Sequence, residues 1–252
     1  MADFYQLQRA MRAMRQAALQ RGALAILDLG SSKIGCLILR FDELDSSIAS
    51  DQVGSLAGQT SFQVLGSAMT RSRGVEFGEI SSMQEAEKAI RTVLQSAQKM
   101  ANLRVDHLIA CFSGGDPRSY GLNGNIKVEN QIVRDEDIAR VLSSCDLPDV
   151  GDGREILHAQ PVNFALDHRS GLVDPRGQIG NNLEVDLHML TAGAKTLRDL
   201  AYCVKRCDLE LAGVASAAYV SGRSALVEDE QELGAVCICL LYTSDAADEL
   251  RS

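Results

Sequence analysis

The sequence predicts a mixed α/β fold, a sheet-and-helix lobe carrying an inserted α+β subdomain. Two observations predict it. Three strand-like runs open the pattern at 24–29, 34–41 and 62–68, which reads as three antiparallel strands rather than an alternating strand-helix start. Strand-rich and helical segments then alternate unevenly, with a turn-rich stretch of short strands between two longer helices. At 252 residues and 46% hydrophobic content the chain can bury a sizeable core, largely aliphatic because Trp is absent and aromatics are only 4%.

In chain order, Leu7, Met11, Met14 and Ala18 recur at helical spacing opposite Arg9, Arg12 and Arg15, a short basic amphipathic helix within 1–22. It could touch anionic lipid or a partner protein, or dock on its own chain. A polar loop at 42–61 precedes the third strand, and a helix at about 82–101 sets Ala86, Ile90, Val93, Leu94 and Ala97 on one face. His107 to Phe112 reads as a buried strand, Ser113 to Arg118 as a turn, and Tyr120 to Val133 as hairpin-like alternation around Gly121 and Gly124. Asp135, Glu136 and Asp137 suit the start of a helix running to about Cys145, since carboxylates favour the positive end of the helix dipole. Strands at about 154–166 and 183–191, a helix at 195–206, a strand at 209–214, a small-residue helix at 216–227, an acidic turn at 228–232 and a strand from Leu233 complete the pattern.

A net charge of -9 and a pI near 5.0 argue against a general nucleic-acid surface and fit a cytoplasmic protein. Seven cysteines, an odd number, do not form a disulfide framework. Cys36, Cys111 and Cys237 lie in apolar runs and read as small buried hydrophobes. Cys203 and Cys207 are one helical turn apart with no histidine close in sequence, so no metal site is assigned. No apolar run approaches the roughly 20 residues of a membrane span.

The stretch with chemistry in it is Leu24 to Leu39, two apolar runs folded back on a polar turn. Gly30 lets the backbone approach a ligand closely, while backbone N–H groups and the Ser31 and Ser32 hydroxyls can donate to phosphate oxygens. Lys33 supplies a mobile positive charge, and Asp28 could hold Mg2+ through water. The same residues also make an ordinary hairpin with a solvated lysine.

Taken with SRGVEFGEI (72–80), REILHAQPVNFALD (154–167), CVKRCDLELAGVASAAYVSG (203–222) and EDEQELGAVCI (228–238), the hairpin LAILDLGSSKIG (24–35) resembles the actin-like ATPase superfamily and, within it, the bacterial cell-division FtsA family. The resemblance implies a ribonuclease H-like ATPase lobe in two parts, 23–83 and 167–206, an interaction subdomain at 84–166, and the start of a second lobe at 207–238. It implies ATP and Mg2+ as cofactors, held by Asp28, Gly30, Ser31, Ser32 and Lys33. No catalytic base is assigned, and any hydrolysis is expected to be slow.

In the family, ELGAVCI continues into a second phosphate loop. Here residues 239–252 begin CLLYTSDAADE, one reading frame of a transposon-based sequencing-library adapter, and are read as a non-native tail ending a truncated chain. The implied whole protein is a scaffold at the cytoplasmic face of the inner membrane that links the FtsZ ring to the membrane and recruits later division proteins through the insert. FtsZ docking and a membrane helix would belong to the missing half. The strand at 233–238 is expected to expose an unpaired edge, leaving the fragment aggregation-prone and a poor ATP binder. Sugar or acetate kinases of the superfamily, and pilus or secretion-system scaffolds, are the alternatives; the insert and the HAQP stretch speak against a kinase.

Overall fold

The computed structural model describes residues 22–41 and 62–238. The basic helix expected within 1–22 (apart from Gly22), the polar loop at 42–61 and the tail at 239–252 lie outside the described residues. The chain divides into two compact units, and within the described residues the second is Pro117–Ala192.

The first unit is built on a five-stranded sheet. Strands β1 (Ala23–Leu29), β2 (Lys33–Phe41) and β3 (Phe62–Arg71) form an antiparallel meander, with Leu27 opposite Cys36 and Cys36 opposite Ala68. A two-stranded ribbon follows, β4 (Val75–Glu76) and β5 (Glu79–Ile80), and then helix α1 (Met83–Ala101). Strand β6 (His107–Phe112) returns parallel to β1. After the second unit, helix α3 (Ala194–Arg206) leads to strand β11 (Glu210–Ser216), parallel to β6. The order across the sheet is β11-β6-β1-β2-β3.

Position in the sheet explains the burial pattern. β1 is central and buries Leu24, Ala25, Leu27 and Leu29, so apolar residues occur on both of its faces. β2 buries alternate residues, Ile34, Cys36 and Ile38. α1 buries Ala86, Ile90, Val93, Leu94 and Ala97, and ends on Asn102 in the left-handed conformation at φ 50°. Its last turns lie so close to β3 that a Cβ at Gly66 would be 2.3 Å from the Ala97 carbonyl oxygen. The C-terminal turn of α3 is clasped to α1. Glu87 accepts from Arg206 Nε at 2.7 Å and Arg91 Nε at 3.1 Å, while Arg91 also reaches Asp208 and the Arg206 carbonyl.

The second unit is a four-stranded sheet under one helix. Its strands are β7 (Arg118–Lys127), β8 (Arg154–Leu166), β9 (Arg169–Leu172) and β10 (Asn182–Gly193), in the order β7-β10-β8-β9, and its helix is α2 (Asp135–Ser143). β10 alternates strictly, with Leu183, Val185, Leu187 and Met189 turned to a core shared with Val141 and Cys145 at the end of α2. The Asp137 carboxylate accepts from the Arg134 amide at 3.0 Å and closes the start of that helix.

Several expectations are corrected. The compact unit is Pro117–Ala192, not 84–166, because the apolar face of 83–101 packs on β2 and β3. Residues 167–192 belong to the second unit because β10 lies between β7 and β8. No hairpin forms over 120–133: β7 runs straight through both glycines. Gly124 serves close packing, since a Cβ there would be 2.6 Å from the Val141 carbonyl oxygen. The acidic turn at 228–232 is a short helix, α5 (Glu228–Leu233), which follows α4 (Ala217–Ala225). No strand forms from Leu233: that residue ends α5 and 234–238 has no ladder partner among the described residues, so the expected unpaired strand edge is not formed there. Cys237 is exposed rather than buried.

Candidate functional site

Three strands of the first unit, β1, β6 and β11, run parallel, and their carboxyl ends lie side by side. Side chains at the carboxyl ends of parallel strands are where open α/β sheets bind ligands, because the connections leaving the sheet there part to leave a crevice. Here those ends carry the polar turn after β1, the sequence Ser113-Gly114-Gly115-Asp116 after β6, and Ser216 leading into α4 after β11.

The turn after β1 is tight. The Gly30 amide donates to the Lys33 carbonyl at 3.1 Å, leaving Ser31 and Ser32 at its tip. None of residues 30–33 has positive φ, so Gly30 is required for space: a Cβ would lie 2.9 Å from the Lys33 carbonyl oxygen. The turn therefore offers no left-handed anion nest, and the Gly30 amide is already used. What it presents are hydroxyls and a charge. Ser31 Oγ accepts from the Gly78 amide at 3.1 Å and keeps its own proton to donate, while Ser32 and Lys33 are exposed.

Asp28 sits on β1 with Gly35 beside it on β2 and Cys111 beside it on β6. Its side chain opens to solvent, but the protein around it pushes the carboxyl above its ordinary value, and the Lys33 charge opposes that only in part. The neighbouring Cys111 thiol is raised as well, by burial first and by the Asp28 charge second. The five residues predicted from sequence, Asp28, Gly30, Ser31, Ser32 and Lys33, fall together on one strand end and the turn that follows it.

Three features of this region were not read from sequence as functional. The β4–β5 ribbon leans on the turn through the bond from Gly78 to Ser31. Gly78 and Gly114 pack backbone to backbone, and a Cβ on Gly114 would come within 2.3 Å of the Gly78 carbonyl oxygen. Glu79 Oε1 accepts from the Gly115 amide at 3.0 Å and from Thr196 Oγ1 at 3.3 Å. Among the described residues no group of three His, Cys, Asp or Glu is gathered for a metal.

An antiparallel three-stranded meander extended by two parallel strands, with an α+β unit inserted after the fourth strand of that sheet, has the element order of an actin-like lobe with an inserted subdomain. Comparison with known proteins narrows the class. A family described as the SHS2 domain inserted in FtsA matches residues 114–191. Cell division protein FtsA of Rhizobium meliloti (strain 1021) is 36% identical over 215 residues, 85% of this chain and 47% of that protein. FtsA of Pseudomonas aeruginosa is 27% identical over 223 residues, 88% of this chain and 50% of that protein. FtsA of Escherichia coli (strain K12) is 24% identical over 212 residues, 84% of this chain and 47% of that protein. Among solved structures, a PilM-PilN type IV pilus biogenesis complex matches 80% of this chain and 49% of that one, at 10% identity and a TM-score of 0.45. The chain is thus similar to FtsA proteins over most of its own length, and it spans about half the length of the curated relatives it matches.

Proposed function

We propose that this chain is part of an actin-like scaffold of bacterial cell division that binds ATP with Mg2+ at the carboxyl end of β1. It acts at the cytoplasmic face of the inner membrane, where the whole protein links the FtsZ ring to the membrane and the Pro117–Ala192 unit receives later division proteins or a second copy of the scaffold. The observation that carries the reading is the FtsA-type insert, matched over 114–191 within a lobe of the expected strand order. Among the described residues no helix is long and apolar enough to cross a membrane.

The residues at the turn fit a nucleotide's phosphates and a hydrated Mg2+. The Ser31 and Ser32 hydroxyls and the Lys33 ammonium would meet phosphate oxygens, with charge-assisted bonds the stronger. Asp28 would face the cation through water, and its raised pKa supports that role, since a nearby cation relieves the cost of ionising it. Bound ATP would act chiefly by favouring one conformational state over another. Glu184 and Asp186 are not assigned as bases: both are exposed on β10, and Asp186 accepts hydrogen bonds from Asn123 and Asn163.

The test is co-sedimentation of the full-length protein with FtsZ polymers, with septal localisation of a fluorescent fusion. Binding to FtsZ and a midcell band support the reading. A diffuse fusion and no FtsZ binding, from a protein that is folded, would overturn it.

A further inference from the structure

The inserted unit is joined to the first unit by two stretches of chain, the one entering it after β6 and the one leaving it before α3. Both stretches are tied to a single carboxylate. The Gly115 amide on the entering stretch is buried and donates to Glu79 Oε1 at 3.0 Å. Thr196 Oγ1, on the first turn of α3, donates to the same oxygen at 3.3 Å. The two stretches are also bonded to each other, by the Gly193 amide to the Gly115 carbonyl at 2.7 Å. One residue before Glu79, the Gly78 amide donates to Ser31 Oγ in the phosphate-facing turn. The backbones of Gly78 and Gly114 touch without an intervening side chain, so the ribbon and the entering stretch have little room to move independently.

We propose that Glu79 is a positioning residue that couples the Ser31 turn to the two connections of the inserted unit. A phosphate oxygen that accepts a hydrogen bond from the Ser31 hydroxyl orients that hydroxyl, whose oxygen still accepts from Gly78. The ribbon is fixed, and Glu79 is fixed with it. Glu79 then holds a buried amide that would otherwise be left unpaired. The coupling rests on the proposed binding of phosphate at Ser31; the holding of the two connections does not.

Hydrogen exchange on the full-length protein, with and without Mg-ATP, tests both parts, using Glu79→Ala and Glu79→Gln. Gln retains both the bulk and an acceptor oxygen, so a third variant, Glu79→Met, which keeps the bulk without that oxygen, separates the roles: exchange like Glu79→Ala supports the hydrogen bond, and exchange like wild type would mark a merely steric role and overturn the proposal. Without nucleotide, Glu79→Ala should exchange about tenfold faster at 113–118, as expected for loss of one hydrogen bond to a charged acceptor, with Glu79→Gln near wild type. Unchanged exchange in Glu79→Ala would overturn the proposal whether or not nucleotide binds. With Mg-ATP, wild type should gain protection at 28–34 and also at 113–118 and 193–197, and Glu79→Ala should keep the first and lose the others. Protection at all three in Glu79→Ala would overturn the coupling while leaving the binding site intact. No protection at 28–34 in wild type would overturn the binding site and the coupling with it.

Discussion

Replacing Gly114 with alanine isolates the packing that holds the site together. Gly114 does not have positive φ, so alanine suits the backbone and the whole effect is steric. The added Cβ would lie 2.3 Å from the Gly78 carbonyl oxygen, 2.7 Å from its carbon and 2.8 Å from Glu79 Cγ, where ordinary contact begins at about 3.4 Å. The ribbon must therefore retreat by about 1 Å. The two nearest of these three partners are backbone atoms, so no side-chain rotation relieves the clash. Overpacking of this kind costs about 1–3 kcal/mol. For a protein of this size each kcal/mol lowers Tm by roughly 2–4 °C. Gly114→Ala should thus melt roughly 2–12 °C below wild type and weaken the bond from Gly78 to Ser31, seen as faster exchange of the Gly78 amide. Gly121→Ala is the control, because nothing lies within 4 Å of its added Cβ. A Gly114→Ala protein with wild-type Tm and wild-type exchange at Gly78 would refute the reasoning.

Other outcomes follow from the same geometry. Asp28 has a raised pKa in the folded state, so its ionisation takes stability away as pH rises from the ordinary carboxylate range through the folded value. Asp28→Asn should melt above wild type at pH 7, with the gap closing under acid; a lower Tm at pH 7 would contradict this. Glu87 is held below its ordinary value by hydrogen bonds from Arg206 first and Arg91 second, so its contribution is present at neutral pH and lost as pH falls through its folded value. Glu87→Gln should therefore lower Tm at pH 7 by a small amount that shrinks in salt and in acid, followed by scanning calorimetry in a pH series. Leu27→Ala, at 0% exposure on the central strand, should cost about 2–5 kcal/mol in denaturant unfolding of the first unit.

Local patterns in the sequence carried local structure. The apolar run from Ile34 marked β2, and the helical spacing from Ala86 to Ala97 marked α1 because burial on one face of a helix writes a period into the chain. The second unit was misplaced because β10 sits between β7 and β8, a neighbourhood set by contacts distant in sequence. Gly124 signalled a turn by composition but is a glycine because α2 passes close by, which no local window contains. At the site, the residues 28–33 were legible as one polar turn between apolar runs. Glu79 was not: the sequence showed it only as part of the stretch 72–80, and its contacts appear only when the chain brings Gly115 and Thr196 to it from 36 and 117 residues away.

The central claim is that the turn at 28–33 holds the phosphates of a nucleotide, and titration of the full-length protein with Mg-ATP tests it most directly when paired with Lys33→Ala. Removing one charge-assisted phosphate contact, about 1.5–3 kcal/mol, should weaken binding about 10- to 100-fold, with only a slight drop in Tm in the absence of nucleotide from the loss of the Lys33 charge near Asp28. Equal affinity in wild type and Lys33→Ala, with no change in exchange at 28–34 on saturation, would contradict the account.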